Sequence, residues 1–98
     1  MSQFTHISGT GTTTTLVSPA LSMLNGLDTA GQIMSLAFHD CAATGDVAAG
    51  NKVWESNAES MMTGHIQQFA GVMFRKGIVA VVTTPAPEAE FKLNIEWE

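Results

Sequence analysis

Three consecutive residues, His39-Asp40-Cys41, hold an imidazole, a carboxylate and a thiol, the ingredients of a cysteine nucleophile activated by an oriented base. Their adjacency argues against that use. On a strand neighbouring side chains point to opposite faces, so a working pair is assembled from distant segments. The plainer reading is a turn capped by Asp40 beside a half-buried Cys41. His6 and His65 are the other imidazoles. With His39 they offer no i, i+4 or short-spaced ligand pair, and a single Cys rules out a zinc site of the Cys-pair type. No catalytic, metal-ligating or cofactor-binding residue is expected.

Glu88 with Glu90 and Glu96 with Glu98 supply paired carboxylates, the minimum for glycoside hydrolysis. All four fall on the polar side of an alternating strand or at the terminus, where a solvated, aggregation-resisting face accounts for them. Ser8-Gly9-Thr10-Gly11-Thr12 is glycine-rich but lacks the lysine and the helix that a phosphate loop needs. Trp97 falls on the apolar side of the last strand, which suits a core or lip role. Trp54, next to a polar stretch and followed by Met61 and Met62, suits a contact with a partner chain as well as it suits a core.

The elements that position these residues read mainly as strands. From Ala89 to Trp97 apolar Ala, Phe, Leu, Ile and Trp alternate with Glu, Lys, Asn and Glu, which predicts a strand with one wet face. Ile78 to Thr84 is β-branched and apolar, and Pro85-Ala86-Pro87 separates the two, so they are expected as an antiparallel hairpin. Gly77, between Val72-Met73-Phe74-Arg75 and Ile78, predicts a bulge redirecting one continuous strand. Thr12 to Val17 predicts a short or edge strand stopped by Pro19. Leu21–Leu27 and Ile33–Phe38 fit two more strands, with Asp28-Thr29-Ala30-Gly31 as one turn and Asp40 to Gly45 as the next. A rival reading places short helices in residues 29–43 or 56–73. Thr29-x-x-Gln32 and Ser56-x-x-Glu59 resemble capping boxes, and Ile33, Leu36, Ala37 and Cys41, or Met62, Ile66, Phe69 and Met73, have helical spacing.

The composition bounds the rest. The 98 residues are 45% apolar and 13% charged with a net charge of -5, enough for one core burying roughly 65% of the unfolded surface. Nine acidic against four basic residues leave no basic stripe, so nucleic acid is not expected as a partner. Ile78 to Val82, the longest apolar run, is too short to span a bilayer, and the N-terminus lacks the pattern of a secretory signal. One cysteine implies synthesis in a reducing cytoplasm. Few charges and abundant Thr and Ala suggest surface covered by neighbours in an assembly.

Taken in order, several segments resemble small β-sandwich structural proteins of tailed-bacteriophage virions, the decoration, cement or fibre type. The residues that carry the resemblance are Ile7-Ser8-Gly9-Thr10-Gly11-Thr12, Leu16-Val17-Ser18-Pro19, Leu24-Asn25-Gly26-Leu27 and Leu36-Ala37-Phe38-His39-Asp40. They continue with Phe74 to Thr83, Pro85 to Pro87 and the final alternating strand, while residues 52–68 match no signature of that kind. The resemblance implies an all-β antiparallel sandwich of seven or eight strands. It also implies a non-enzymatic protein on the virion surface, made in the host cytoplasm, whose partners are the major capsid protein or another virion protein and further copies of itself. Within that expectation residues 1–11 form a flexible arm ahead of a single domain over 12–98. The contact residues are Phe4 and Ile7 of the arm with Trp54, Met61 and Met62. A tail or fibre component, or a carbohydrate-binding sandwich using Trp54, are the alternatives.

Overall fold

Alternation at period two decides the architecture of the computed structural model, which describes residues 2–56 and 66–98. Eight strands follow in chain order: β1 (Gln3–Thr10), β2 (Thr13–Ser18), β3 (Ser22–Gly31), β4 (Ser35–Asp40), β5 (Lys52–Glu55), β6 (Ile66–Phe74), β7 (Ile78–Thr83) and β8 (Glu90–Trp97). In β8 Phe91, Leu93 and Ile95 are buried while Glu90 and Lys92 are exposed, the one-sided strand that the pattern predicts. Two single-turn 3-10 helices, Thr44–Asp46 and Ala49–Asn51, lie between β4 and β5, and there is no α-helix among the described residues.

The strands form two antiparallel four-stranded sheets, a first in the order β1-β8-β3-β6 and a second in the order β2-β7-β4-β5. Of the successive strand pairs only β4 and β5 share a sheet; every other link carries the chain from one sheet to the other. This is an all-β sandwich with the strand order of a jelly roll. Its core is built from both inner faces: Ile7, Leu24, Leu27, Phe74, Phe91, Leu93 and Ile95 from the first sheet meet Leu36, Phe38, Ile78, Ala80 and Val82 from the second. Phe38 stands at its centre, edge-on to Phe74 at 6.5 Å between ring centroids.

The predicted strands exist, but their connections differ from expectation. The strands β7 and β8 are not a hairpin: they belong to opposite sheets, and residues 84–89 carry the chain across the sandwich edge. Apolar β7 is buried on both sides, and β8 instead finds its partners in β1 and β3. Nor are β6 and β7 one kinked strand. Gly77 sits in the turn that switches sheets, where a Cβ would lie 2.4 Å from the Ser18 carbonyl oxygen and 2.7 Å from that of Cys41, so only glycine fits. The turn expected at residues 28–31 is the end of β3, which stays paired with β8 as far as Gly31↔Phe91. The helices proposed for residues 29–43 are replaced by β3 and β4; of the second proposed helix, Ile66–Phe74 is strand and residues 57–65 lie outside the described residues.

The first segment is also placed differently. Residues 3–10, expected as a flexible arm, are strand β1, paired with β8 without interruption from Gln3↔Trp97 to Thr10↔Glu90. What holds it is a half-inward pattern: Ile7 enters the core, and Thr5 Oγ1 accepts the indole N–H of Trp97 at 2.9 Å. The edge position of β2 and its stop before Pro19 agree with the sequence. No helix among the described residues is long and apolar enough to cross a membrane.

Candidate functional site

The His39-Asp40-Cys41 run is dispersed by strand alternation. His39, on the outer side of β4, is buried because the β4–β5 loop folds over it. Its Nδ1–H donates to the Ala48 carbonyl at 3.1 Å and to Asn51 Oδ1 at 2.8 Å. Asn51 completes the clasp by accepting the Ala48 N–H and donating to the Asp46 carbonyl. Asp40 turns to the β6–β7 turn and accepts the backbone N–H groups of Arg75, Lys76 and Gly77 at 3.1, 2.7 and 3.3 Å. Burial raises its proton affinity, but these bonds and the Lys76 charge outweigh that and hold the carboxyl below its ordinary pKa. Burial pushes the Cys41 thiol up, and the charges of Asp46 and Asp40 add to the effect against the opposing Ala43 N–H and Lys76. The three side chains thus serve a loop, a turn and the interior.

Trp54 is half-buried and packs on the core, tilted over Phe38 at 5.7 Å and edge-on to Phe69 at 5.3 Å. With Phe69 it closes the edge of the sandwich between β5 and β6 rather than standing out as a platform. Trp97 occupies the lip foreseen for it, packed against the core from the end of β8. Of the expected contact residues, Phe4 is 65% exposed, whereas Ile7 is buried in the core; Met61 and Met62 lie outside the described residues. His65 does too. Among the described residues no three His, Cys, Asp or Glu side chains are placed to hold a metal ion.

The feature that chain order conceals is the outer face of the first sheet. Even-numbered residues of β1 and β8 point outward in register, so Phe4 lies beside Glu96 and His6 beside Asn94. Strand β3 extends the rows, with Gly26 beside Glu96 and Asp28 beside Asn94, and β6 adds Gln68 beside Gly26. Because Gly26 has no side chain, the centre of this face is a depression of about 320 Å³ walled by Phe4, His6, Asp28, Gln68, Asn94 and Glu96. A polar chain crosses it: His6 Nδ1–H donates to Asn94 Oδ1, and Asn94 Nδ2 donates to Asp28 Oδ1 at 3.5 Å. A second depression of about 490 Å³ continues along β1, β8 and β3 between Ser8, Ala30 and Lys92.

A phenyl ring, an imidazole, two carboxylates and two amides around a shallow trough can bind hydroxyl-rich or amide-bearing ligands through bidentate hydrogen bonds and ring stacking. No nucleophile with an adjacent base and oxyanion donors is assembled there. Sequence reasoning missed Gly26, Asp28, Gln68 and Asn94 because they come from three strands whose neighbourhood only the topology creates. The polar stripe of β8 was the one visible signal. No family model, curated protein or solved structure matches the chain.

Proposed function

We propose that this chain is a non-enzymatic structural protein of a bacteriophage virion, a decoration or cement domain that acts in multiple copies on the capsid surface. The observation that carries the reading is the strand order, because the eight-stranded jelly roll is an architecture of viral capsid domains, and of lectins and cupins as well. A fold hosts many functions, so the order supports the reading by analogy. Three further observations agree with it. The sequence resembles small virion sandwiches, the charge is low, and the first Asp, Glu, Lys or Arg is residue 28, so a broad neutral surface is offered to neighbours. The mechanism is mechanical: weak contacts of a rigid domain, repeated over a lattice, add up to a stable attachment.

Copy number tests the reading. Quantitative mass spectrometry of purified particles, with the major capsid protein as internal standard, is expected to find hundreds of copies of this chain. A dozen or a few dozen would move it to the tail, a fibre or a vertex, and absence from the particle would end the virion reading.

A second reading, a carbohydrate-binding module, is favoured by the trough on the first sheet. It places the stacking ring at Phe4 and the hydroxyl-binding groups at Asp28, Asn94 and Glu96, and leaves Trp54 half-buried against the core. Glycan-array binding lost in Asp28→Ala, with the fold intact by circular dichroism, would support it.

A further inference from the structure

A sandwich has four edge strands, and each leaves backbone N–H and C=O groups facing outward that invite another strand unless something blunts them. Three of the four are blunted here. Strand β5 has four residues and carries Lys52 and Glu55. Strand β6 is distorted: between Leu24↔Val72 and Gly26↔Gln68 a single residue of β3 faces Phe69, Ala70 and Gly71, and Gly71 takes a φ of 81°. Strand β2 has six residues, loses register between Leu16 and Ser18, and runs into Pro19. Strand β1 has none of these devices. Its eight residues keep unbroken register with β8, include no Pro, Asp, Glu, Lys or Arg, and present Phe4 with 65% of its surface exposed.

We infer that β1 is a self-association edge, and that two copies of this chain join β1 to β1 in antiparallel register about a twofold axis, fusing their first sheets into one of eight strands. The inference deepens the multi-copy part of the function proposed above and rests on it. An isologous contact uses the same patch on both subunits, which one uncharged, regular strand supplies by itself.

Charge complementarity selects the register. Outward residues must face outward residues, so the axis passes at a residue, and of these positions His6 and Ile7, at the middle of Gln3–Thr10, keep the most residues paired. With Ile7 at the axis, Phe4 faces Thr10 of the second copy, and the row then runs from Glu96 of one copy to Glu90 of the other, like charges three strand spacings apart. With His6 at the axis, Phe4 faces Ser8 of the second copy, and the row runs from Glu96 of one copy to Lys92 of the other. The His6-centred register is therefore the one assigned.

Sedimentation equilibrium of the full chain from about 1 µM to about 1 mM tests this. A dimer is expected for the wild type. The double variant Phe4→Lys with Ser8→Lys opposes lysines in two symmetric rows and should weaken dimerisation by at least about tenfold, with unchanged far-UV circular dichroism. Thr14→Lys on the β2 edge should leave it intact. The variant Phe4→Lys with Ser8→Glu sets opposite charges face to face only in the His6-centred register and should restore the dimer. A wild type that stays monomeric at about 1 mM, a dimer abolished by Thr14→Lys instead, or failure of the opposite-charge variant to recover association would overturn the assignment. The virion reading fails separately, on absence from particles, whatever the solution dimer does.

Discussion

Oδ1 of Asp40 accepts the backbone N–H of Lys76 at 2.7 Å, which ties the end of β4 to the turn where the chain changes sheets. The same carboxylate serves Arg75 and Gly77, so one side chain satisfies three turn amides. Asp40→Ala leaves those donors to water and should cost about 1–3 kcal/mol at pH 7. Since the folded-state pKa lies below the ordinary Asp value, this contribution is fully present above the unfolded pKa, about 4, and is lost as pH falls through the folded one. Urea midpoints of wild type and variant should differ at pH 7 and converge in strong acid. A gap that persists unchanged at the lowest pH would contradict the account.

Gly77→Ala tests the sheet switch. A Cβ there has nowhere to go, because two backbone carbonyls, of Ser18 and Cys41, approach within 2.7 Å. Backbone must move to admit it, and a loss of about 2 kcal/mol or more is expected. Gly45→Ala, where a Cβ would meet nothing within 4 Å, is the control and should be near neutral. Comparable losses at the two positions would refute the steric explanation.

The clasp over the second sheet predicts local rather than global effects. Asn51→Ala removes one of the two acceptors for His39 Nδ1–H, the acceptor for the Ala48 N–H and the donor to Asp46. Hydrogen exchange at the Ala48 amide should quicken by about tenfold or more while the amides of β8 change little. Equal acceleration in both would mean that the loop is part of the cooperative core.

Cys41 is 3% exposed and its thiol pKa is raised, chiefly by burial. Thiolate is the reactive form, so a disulfide reagent at pH 8 should label the folded protein far more slowly than the urea-unfolded chain. Destabilising variants such as Gly77→Ala should accelerate labelling in proportion to their unfolded fraction. Rapid labelling of the stable wild type would show that the site opens without unfolding.

Strand periodicity was readable wherever one face is wet. The alternation of Phe91, Leu93 and Ile95 with charged residues leaves no second choice for β8. It fails for β4, where Leu36, Ala37, Phe38 and His39 are all buried, because the core covers one side and the β4–β5 loop touches the other. A run buried on both faces looks as much like a helix as a strand. Pairing was hidden for a different reason. Sequence neighbours suggest hairpins, but in a jelly roll β8 pairs with β1, 80 or more residues away, and no local signal in Pro85-Ala86-Pro87 distinguishes a reversal within a sheet from a passage between sheets. The trough shares that fate, since Phe4, Gly26, Gln68 and Asn94 meet only after the long-range pairing exists.

The position of β8 between β1 and β3 also governs how the protein can be made. Strand β1 has no partner in its sheet but β8, so its uncharged residues stay unpaired until residues 90–97 have been made, whereas β2 and β3 find partners earlier in β7 and β6. Completion of the first sheet thus waits on a pairing between segments 80 or more residues apart, and until it forms the waiting strand can meet a strand of another chain instead.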